Sequence, residues 1–266
     1  MSPRLDAELA ARGLARSRSH ATQLIAGGRV SVDGRPVVKP SASVDASTTI
    51  EVAGADHYVS RGAHKLIAAL DAFAIAVGGR VALDLGASTG GFTQVLRERG
   101  ARPVLAVDVG HGQLSTVVAS DPDVVSVEGY NVRFMTADSL AAATGVAERP
   151  HVVTGDLSFI SLTHVLPAVI ATAATDAEVV LLIKPQFEVG RTAVKGGLVT
   201  DPALRSDAVH GVLWAAWDVG LRTNGLIASP IVGTHGNQEY VAWFSAAHGS
   251  DPSEWESTVT RLTGSR

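Results

Sequence analysis

Apolar residues recur along the chain with two alternating spacings, which predict strands that alternate with helices. Seven short, mainly apolar runs have the length of a strand: residues 81–85, 101–108, 123–128, 151–156, 178–183, 227–232 and 240–244. Between the first two runs, apolar residues at positions 92, 95 and 96 have the spacing of an amphipathic helix. This alternation is typical of an α/β protein with a doubly wound, mostly parallel sheet, here of seven strands.

The first 55 residues have a different pattern, which predicts a small α+β domain. Two short helices are expected at residues 5–13 and 20–26, each closed by glycine. A hairpin follows, because Asp33-Gly34 is a favoured two-residue turn between short alternating segments. Residues 48–52 add a third short strand.

These patterns divide the chain of 266 residues into four segments. We expect the small domain at 1–55, a linker at 56–62, the large α/β domain at 63–247 and a helical tail at 248–266. Residues 1–65 carry nine Lys or Arg against six Asp or Glu, whereas the remainder has a net charge of −7. A basic segment joined to an acidic one indicates that the two domains have different tasks.

Composition excludes several classes of protein. The chain has no cysteine, which excludes disulfides, thiolate metal sites and cysteine nucleophiles and suits a reducing cytoplasm. It has no apolar run of about 18 residues and no apolar signal core near Met1, so we expect a cytoplasmic protein without a membrane-spanning segment. Apolar content of 46% and charged content of 18% are ordinary for a globular protein.

The turn after the first of the seven strands is rich in glycine and predicts a ligand. Gly86-Ala87-Ser88-Thr89-Gly90-Gly91 lies between that strand and the next helix. Glycine lets a backbone approach a ligand closely, and a helix N-terminus offers free N–H groups. The turn departs from the G-x-G-x-x-G spacing of dinucleotide sites, because serine takes the third place. A ligand without pyrophosphate, such as S-adenosylmethionine, is therefore favoured.

Two further polar residues at strand ends support this interpretation. Asp108 ends the second strand, 22 residues after Gly86, where an acid can accept hydrogen bonds from ribose hydroxyls. Asn131 follows the third strand, at a position where such folds contact an adenine. A lone asparagine can equally stabilise a turn.

A hydrolase is an alternative that fits the same turn. Gly86, Ser88 and Gly90 also satisfy G-x-S-x-G, the motif of hydrolases whose serine lies between a strand and a helix. His210 and His235 could supply the histidine of such a site. Because this hypothesis leaves Asp108 without a role, the cofactor interpretation is favoured.

Five positions follow successive predicted strands and should meet at one edge of the sheet: Gly86, Asp108, Asn131, Asp156 and Lys184. In an open parallel sheet, that edge is where ligands bind. A lysine there can act as general base toward a hydroxyl, provided that burial or a second cation favours its neutral form. The alternative is a structural Lys–Asp ion pair at the sheet edge.

The basic residues of the small domain follow a specific pattern. Residues 4–40, with Arg4-Leu5-Asp6, Gly13-Leu14-Ala15-Arg16-Ser17-Arg18 and Gly28-Arg29-Val30, resemble the S-four-like RNA-binding domain. Such a domain implies recognition of structured RNA through shape and phosphates. The arginines expected to contact RNA are Arg4, Arg12, Arg16, Arg18, Arg29, Arg35 and Arg61. A solvated charged face is the alternative for scattered charge of this kind.

Motifs over nearly the whole chain resemble the TlyA family. They lie at residues 60–65, 84–93, 156–161, 184–190 and 236–240. In that family an S-four-like domain precedes a Rossmann-like, FtsJ-like methyltransferase domain. The resemblance implies S-adenosylmethionine-dependent 2′-O-methylation of cytidine in ribosomal RNA, on one or both ribosomal subunits and without a metal. A non-catalytic RNA-binding or ribosome assembly factor is the alternative.

The resemblance also assigns residues. The catalytic tetrad of the family carries over to Lys65, Asp156, Lys184 and Glu239, with Lys184 as general base. Lys65 would help to place the ribose, and the two acids would hold the lysines. Contacts with the cofactor are expected from Asp84, Gly86, Ala87, Ser88, Thr89, Gly90, Gly91, Phe92, Asp108, Val109, Asn131 and Asp156.

Three positions depart from the pattern of the family: Tyr130, Thr154-Gly155 and Lys195. They concern the cofactor loops and the range of substrates rather than the class of reaction. Some members of the family are labelled haemolysins. This sequence has no spanning segment and no strongly amphipathic basic helix, so it gives that label no physical support.

Overall fold

The computed structural model of the protein describes residues 3–15, 17–45, 47–53, 57–190, 194, 196–233 and 236–265. The chain divides into two units, Met1–Ser60 and Arg61–Arg266, each with its own buried apolar core. The predicted linker at 56–62 spans this division, and the other predicted boundaries stay predictions.

The first unit is a small α+β structure. Its described residues form two helices and three short strands: α1 Leu5–Ala11, α2 Arg18–Ala26, β1 Val30–Val32, β2 Arg35–Pro36 and β3 Ile50–Val52. The strands pair antiparallel in the order β2-β1-β3. Asp33 and Gly34 have positive φ angles of 48° and 76°, which a tight hairpin turn between right-twisted strands requires. The core lies between the helices and the sheet and includes Leu5, Leu9 and Ile25.

The second unit carries the larger sheet. Its described strands are β4 Ala82–Leu85, β5 Val104–Val107, β6 Val124–Val127, β7 Val152–Gly155, β8 Glu178–Ile183, β9 Arg222–Ala228 and β10 Tyr240–Ser245. Its described helices are α3 Ala63–Phe73, α4 Gly91–Glu98, α5 Thr116–Ala119, α6 Ala137–Thr144, α7 Leu166–Thr172, α8 Pro185–Glu188, α9 Pro202–Asp218 and α10 Glu256–Thr263. The last helix lies within the segment for which a helical tail is predicted.

The seven strands form one sheet in the order β6-β5-β4-β7-β8-β10-β9 among the described residues. Strands β4 to β8 pair in parallel, and β10 is antiparallel to both β8 and β9. This confirms the predicted fold class, a doubly wound and mostly parallel sheet preceded by a small α+β unit. The strand order reverses between β4 and β7, and a doubly wound sheet binds its ligand at such a point.

The topology brings distant residues to one edge of the sheet. The carboxyl ends of β4 to β8 lie at that edge because these strands are parallel. Strand β10 runs the other way and pairs Tyr240 with Ile183, so β10 begins where β8 ends. Residues that follow β7 and β8 therefore meet the residue that precedes β10. The strands can do this because β4, β5 and β7 are mainly apolar and are buried along their whole length.

Candidate active site

Four charged side chains meet at this edge of the sheet. The Nζ of Lys65 lies 2.7 Å from Oε2 of Glu239 and 3.3 Å from Oδ2 of Asp156. The Nζ of Lys184 lies 2.6 Å from Oδ1 of Asp156. Asp156 thus bridges two ammonium groups. The structure brings together the four residues that the family resemblance assigns to a tetrad, although Lys65 and Glu239 are 174 positions apart.

Each member of this cluster is placed by a different element. Lys65 is the third residue of α3, on the face that also buries Leu66, Ala69 and Leu70. Asp156 and Lys184 directly follow β7 and β8, and Glu239 directly precedes β10. Because α3 packs against α4 and β10, the helix delivers Lys65 to the strand ends. Lys65 is therefore buried, although it lies in the first turn of its helix.

The four charged side chains are largely buried, so their charges must be paired. Lys65 and Lys184 are each 8% exposed, and Glu239 is 2% exposed. Lysine and glutamate are rarely this buried unless they are paired. With both lysines charged, two positive and two negative groups balance. A low-exposure site with balanced charge and two ammonium groups around one carboxylate is suited to moving a single proton.

A cavity of about 540 Å³ opens next to Asp156. It lies over the carboxyl ends of β4, β5, β6 and β7. Six of the predicted cofactor contacts line it: Gly86, Ser88, Asp108, Val109, Asn131 and Asp156. This volume falls within the range of small-molecule sites, roughly 300–1,000 Å³.

The glycine-rich turn is shaped by close backbone approach and by Asp108. Gly86 has a φ angle of +77°, and a Cβ there would come within 3.0 Å of Cδ2 of Leu157. The backbone N–H of Ser88 donates to Oδ2 of Asp108 at 2.8 Å, and that of Gly110 donates to Oδ1 at 2.7 Å. Two backbone donors fix the carboxylate, and each of its oxygens keeps a further lone pair for a ligand in the cavity.

The other six predicted cofactor contacts are absent from the described cavity lining: Asp84, Ala87, Thr89, Gly90, Gly91 and Phe92. Gly90 has a φ angle of +95°, and a Cβ there would lie 2.8 Å from Cδ1 of Leu114. It therefore serves the packing of the turn. Contacts of these six residues with a cofactor stay predictions.

Asp84 is a buried acid of β4, two residues before the glycine-rich turn. It is 1% exposed and accepts a hydrogen bond from Oγ1 of Thr93 at 2.6 Å and another from Oγ1 of Thr154 at 3.4 Å. Burial raises the pKa of Asp84 to about 7; the Thr93 hydrogen bond opposes this rise, and the charge of Asp156 adds to it. Thr154, which departs from the family pattern, thus contributes a donor to this buried acid.

Sequence reasoning missed the wall formed by residues 157–160, all of which line the cavity. The available signal is position, because these residues directly follow Asp156. Within this wall, Oγ of Ser158 accepts a hydrogen bond from Nζ of Lys184 at 2.9 Å. Phe159 is almost fully exposed, has a φ angle of +65° and contacts the ring of Phe187 at 5.3 Å between centroids.

Two side chains that the sequence analysis did not single out form hydrogen bonds to the segments beside the cluster. Glu188 accepts hydrogen bonds from Oγ of Ser161 at 2.5 Å and from the backbone N–H of Leu162 at 3.0 Å, and burial raises its pKa. Asn237 accepts from the backbone N–H of Val199 at 2.9 Å and donates to the carbonyl of Gly197 at 2.7 Å. Both belong to the motifs noted above, so their place in the sequence was the signal.

The charge of the cavity lining restricts the ligand. Asp108 and Asp156 supply two carboxylates, and none of the described lining residues is Lys, Arg or His. Val109, Val132 and Leu157 add apolar surface. A phosphate-rich ligand would meet only negative charge here, whereas a nucleoside with a cationic group would meet ribose acceptors, apolar walls and opposite charge.

In the first unit, two of the predicted RNA-binding arginines flank one acid. Nε and Nη2 of Arg4 both donate to Asp6 at 3.0 Å, and Arg18 approaches the same carboxylate at 3.4 Å. The Arg4 hydrogen bond holds the pKa of Asp6 below its ordinary value. The Asp6 side chain is 6% exposed, but those of Arg4 and Arg18 are 50% and 60% exposed. Both guanidinium groups therefore face solvent.

The remaining predicted RNA contacts differ among themselves. Arg12 donates to Oε1 of Glu8 at 2.7 Å and to the carbonyls of Thr48 and Asp45, which ties α1 to that segment. Nε of Arg29 donates to the carbonyl of Ala53 at 3.0 Å. Arg35 and Arg61 are exposed, and Arg16 lies outside the described residues.

Ser88 does not form a hydrolase site with a described histidine. Its hydroxyl bonds to Oε1 of Gln113 at 3.3 Å, and His210 lies 3.5 Å from the hydroxyl of Ser206. His235 lies outside the described residues, as does Lys195. In the part of the chain that the structure describes, no helix is long and apolar enough to cross a membrane, and no group of three or more His, Asp or Glu could hold a metal ion.

Comparison with known proteins gives the family of the chain. The family model described as FtsJ-like methyltransferase matches residues 58–246, and the model described as S4 domain matches residues 3–50. The chain is 50% identical to the 16S/23S rRNA (cytidine-2′-O)-methyltransferase TlyA of Mycobacterium tuberculosis over 243 residues, which are 90% of this chain and 88% of that protein.

Two further relatives carry a haemolysin name. Hemolysin A of Brachyspira hyodysenteriae is 38% identical, over 91% of this chain and 99% of that protein. A solved structure of a haemolysin-labelled protein from Streptococcus thermophilus is 34% identical, with a TM-score of 0.75 over 99% of this chain and 96% of the other.

The fold and the site define a methyltransferase with a doubly wound catalytic unit and an S4 domain before it. The chain belongs to the TlyA family of FtsJ-like methyltransferases.

Proposed function

We propose that this protein transfers a methyl group from S-adenosylmethionine to the 2′-hydroxyl of cytidine in ribosomal RNA. The observation that carries the proposal is the pair of buried lysines bridged by Asp156, which also lines the cavity. The 50% identical relative is named for this reaction. In this proposal, the base for the hydroxyl lies beside the cavity for the methyl donor.

The residues of the cavity fit S-adenosylmethionine. Asp108 would accept from the ribose hydroxyls, Asn131 and the apolar side chains of Val109 and Val132 would face the adenine, and the glycine-rich turn would hold the amino acid part. The lining carboxylates suit a sulfonium cation and disfavour a pyrophosphate. When bound, this cofactor supplies an electrophilic methyl group.

Lys184 is the proposed general base. The 2′-hydroxyl must lose its proton as its oxygen gains the methyl group, and Nζ of Lys184 accepts that proton. A lysine accepts a proton only in its neutral form. Lys184 is 8% exposed, and Lys65 shares its carboxylate partner.

Lys65 and the two acids keep the base in place. Asp156 holds both ammonium groups, at 2.6 Å and 3.3 Å. Glu239 accepts a hydrogen bond from Lys65 at 2.7 Å, so Lys65 has an acid partner besides Asp156. Lys65 would donate a further hydrogen bond to the ribose and orient it.

The first unit would bind the RNA. Its S4 domain presents Arg4 and Arg18 toward solvent, and exposed guanidinium groups bind phosphates. Arg35 of the same unit and Arg61, the first residue of the second unit, are exposed candidates for the same task. Ribosomal RNA as substrate implies work in the cytoplasm.

Transfer of labelled methyl from S-adenosylmethionine to isolated ribosomal subunits tests the proposal. We expect label on RNA with the wild-type protein and none with Lys184→Ala, while both bind the cofactor and the subunits with similar affinity. Digestion of the labelled RNA to nucleosides should yield 2′-O-methylcytidine. Binding of subunits without transfer by the wild-type protein would favour the alternative, a non-catalytic RNA-binding or assembly factor.

A further inference from the structure

The proposed base has a second neighbour that no motif assigns, the hydroxyl of Ser158. Nζ of Lys184 donates a hydrogen bond to Oγ of Ser158 at 2.9 Å. Ser158 lies two residues after Asp156 and lines the cavity, where its side chain is exposed. One hydroxyl thus touches both the proposed base and the space where cofactor and substrate meet.

The contacts of Lys184 with Asp156 and with Ser158 differ in how well they orient the ammonium group. The approach of Lys184 to Oδ1 of Asp156 is close, at 2.6 Å, but that oxygen has no partner with hydrogen-bond geometry. Asp156 therefore neutralises the ammonium group without orienting its N–H bonds. Among the contacts of Lys184 described here, the bond to Ser158 is the one that fixes a direction in space.

A fixed N–H bond matters because the lysine nitrogen is tetrahedral. Rotation about the last bond of the side chain moves three N–H positions together, so fixing one of them fixes the others. If one position is bonded to Ser158, the lone pair of the neutral amine is left to the remaining positions. General base catalysis depends on where that lone pair points, since a misplacement of about 1 Å costs on the order of 100-fold in rate.

We infer that Ser158 is a positioning residue that aims the lone pair of Lys184 at the substrate hydroxyl. Its Oγ accepts from Lys184 in both protonation states, and so holds the nitrogen before and after the proton is taken. This inference rests on the proposed function for its effect on rate, while the contact itself is independent of any activity.

The kinetic test compares Ser158→Ala with Ser158→Thr. Loss of the hydroxyl should lower kcat about 10- to 100-fold, as expected for one hydrogen bond to a charged group. The dissociation constant of S-adenosylmethionine should stay close to the wild-type value. Ser158→Thr keeps the hydroxyl and should recover most of kcat, because the exposed position has room for a methyl group.

A second measurement needs no turnover. The chain has only four lysines, Lys39, Lys65, Lys184 and Lys195, so lysine-selective ¹⁵N labelling of the full protein gives few side-chain NMR signals. In Ser158→Ala, we expect the ammonium signal of Lys184 to shift and to exchange faster with water. As a matched control, Ser161→Ala removes a hydroxyl of the same segment that bonds Glu188, and it should leave that signal unchanged.

Several results would overturn the inference. An unchanged kcat in Ser158→Ala, or a loss of cofactor affinity with kcat intact at saturation, would make Ser158 a wall residue or a cofactor contact. Equal shifts of the Lys184 signal in Ser158→Ala and Ser161→Ala would show that the signal depends on the conformation of the whole segment. The hydrogen bond between Ser158 and Lys184 would then have no special effect. If no variant methylates RNA, the proposed function fails, and the NMR comparison still decides whether Ser158 holds Lys184.

Discussion

Two clusters in this protein have the same charge pattern, one acid between two cations, and opposite properties. In the first unit, Asp6 lies between Arg4 and Arg18, whose side chains are 50% and 60% exposed. In the second unit, Asp156 lies between Lys65 and Lys184, whose side chains are 10% and 9% exposed. The difference lies in the type of cation and in its access to water.

These two differences decide what each cluster can do. A guanidinium group does not lose its proton in a protein, and when exposed it keeps donors for an external phosphate. A buried ammonium group can lose its proton when a second cation lies nearby. The same pattern therefore provides a binding surface in one unit and a proton-transfer site in the other.

The largest loss of activity is expected when a lysine of the catalytic cluster is replaced by arginine. Lys184→Arg keeps the positive charge and the pairing with Asp156, but it cannot take a proton. We expect kcat to fall about 10²–10⁴-fold, as far as in Lys184→Ala, measured as methyl transfer to ribosomal subunits. The reciprocal variant Arg18→Lys should keep its affinity for subunits. Near-normal turnover by Lys184→Arg would rule out Lys184 as the base.

Replacing Lys65 tests how strongly the stability of the buried cluster depends on ion pairing. Lys65→Met leaves the carboxylate of Glu239, 2% exposed, without its 2.7 Å partner. An unpaired buried charge should lower the free energy of unfolding of the second unit by about 3–5 kcal/mol, measured by urea denaturation. The double variant Lys65→Met with Glu239→Gln should regain much of this loss. If single and double variants are equally stable, pairing does not hold the cluster.

Asp84 shows what a buried acid of this unit becomes without a paired cation. Burial raises its pKa to about 7, well above that of an unfolded aspartate. Since the folded state binds the proton more tightly, its contribution to stability is complete below the unfolded pKa and is lost as pH rises toward 7. The wild-type protein should thus lose about 3 kcal/mol between about pH 5 and about pH 8 from this group.

Asp84→Asn should remove this dependence and flatten the stability of the second unit over the same pH range. Urea unfolding at several pH values measures it. Asp251→Asn is a suitable control, because hydrogen bonds with Ser253 lower the pKa of Asp251, so the substitution should leave the slope in this range unchanged. The same slope in wild type and Asp84→Asn would exclude Asp84 as its source.

The smallest effect is expected in the exposed cluster. Arg18→Ala should weaken binding to ribosomal subunits modestly and reduce the slope of log affinity against log salt by about one, without changing kcat at saturating subunits. Arg99→Ala removes an arginine of the second unit that pairs with Asp71 at 2.6 Å, and serves as control. A salt slope that Arg18→Ala leaves unchanged would mean that Arg18 does not meet phosphate.

The fold and the place of the site could be predicted because they depend on local patterns. Runs such as 178–183 are apolar enough to become buried strands, and parallel strands bring their carboxyl ends together. Asp108, Asp156 and Lys184 were therefore expected at one edge from position alone. Lys65 and Glu239 were not, because neither follows a parallel strand, and only the family resemblance pointed to them.

Local sequence patterns do not predict which side chains form hydrogen bonds with each other. Arg12 looked like an RNA contact beside Arg16 and Arg18, yet it bonds to Glu8 and to backbone carbonyls of its own unit. Ser158 looked like one serine in a motif, yet it holds the proposed base. A charged or hydroxyl side chain bonds to whatever the packing brings within about 3 Å, and residue type does not specify that neighbour.

The sequence by itself determined the succession of strands and helices along the chain, the glycine-rich turn and the edge of the sheet at which the site forms. It also determined the absence of cysteine. These follow from backbone periodicity and residue chemistry, which act over a few neighbouring positions. Only the tertiary structure decided that two lysines share Asp156, that Lys65 is buried and that the Asp6 cluster stays open to water. Burial and ion pairing join residues up to 174 positions apart, and such contacts exist only once the sheet and α3 have packed.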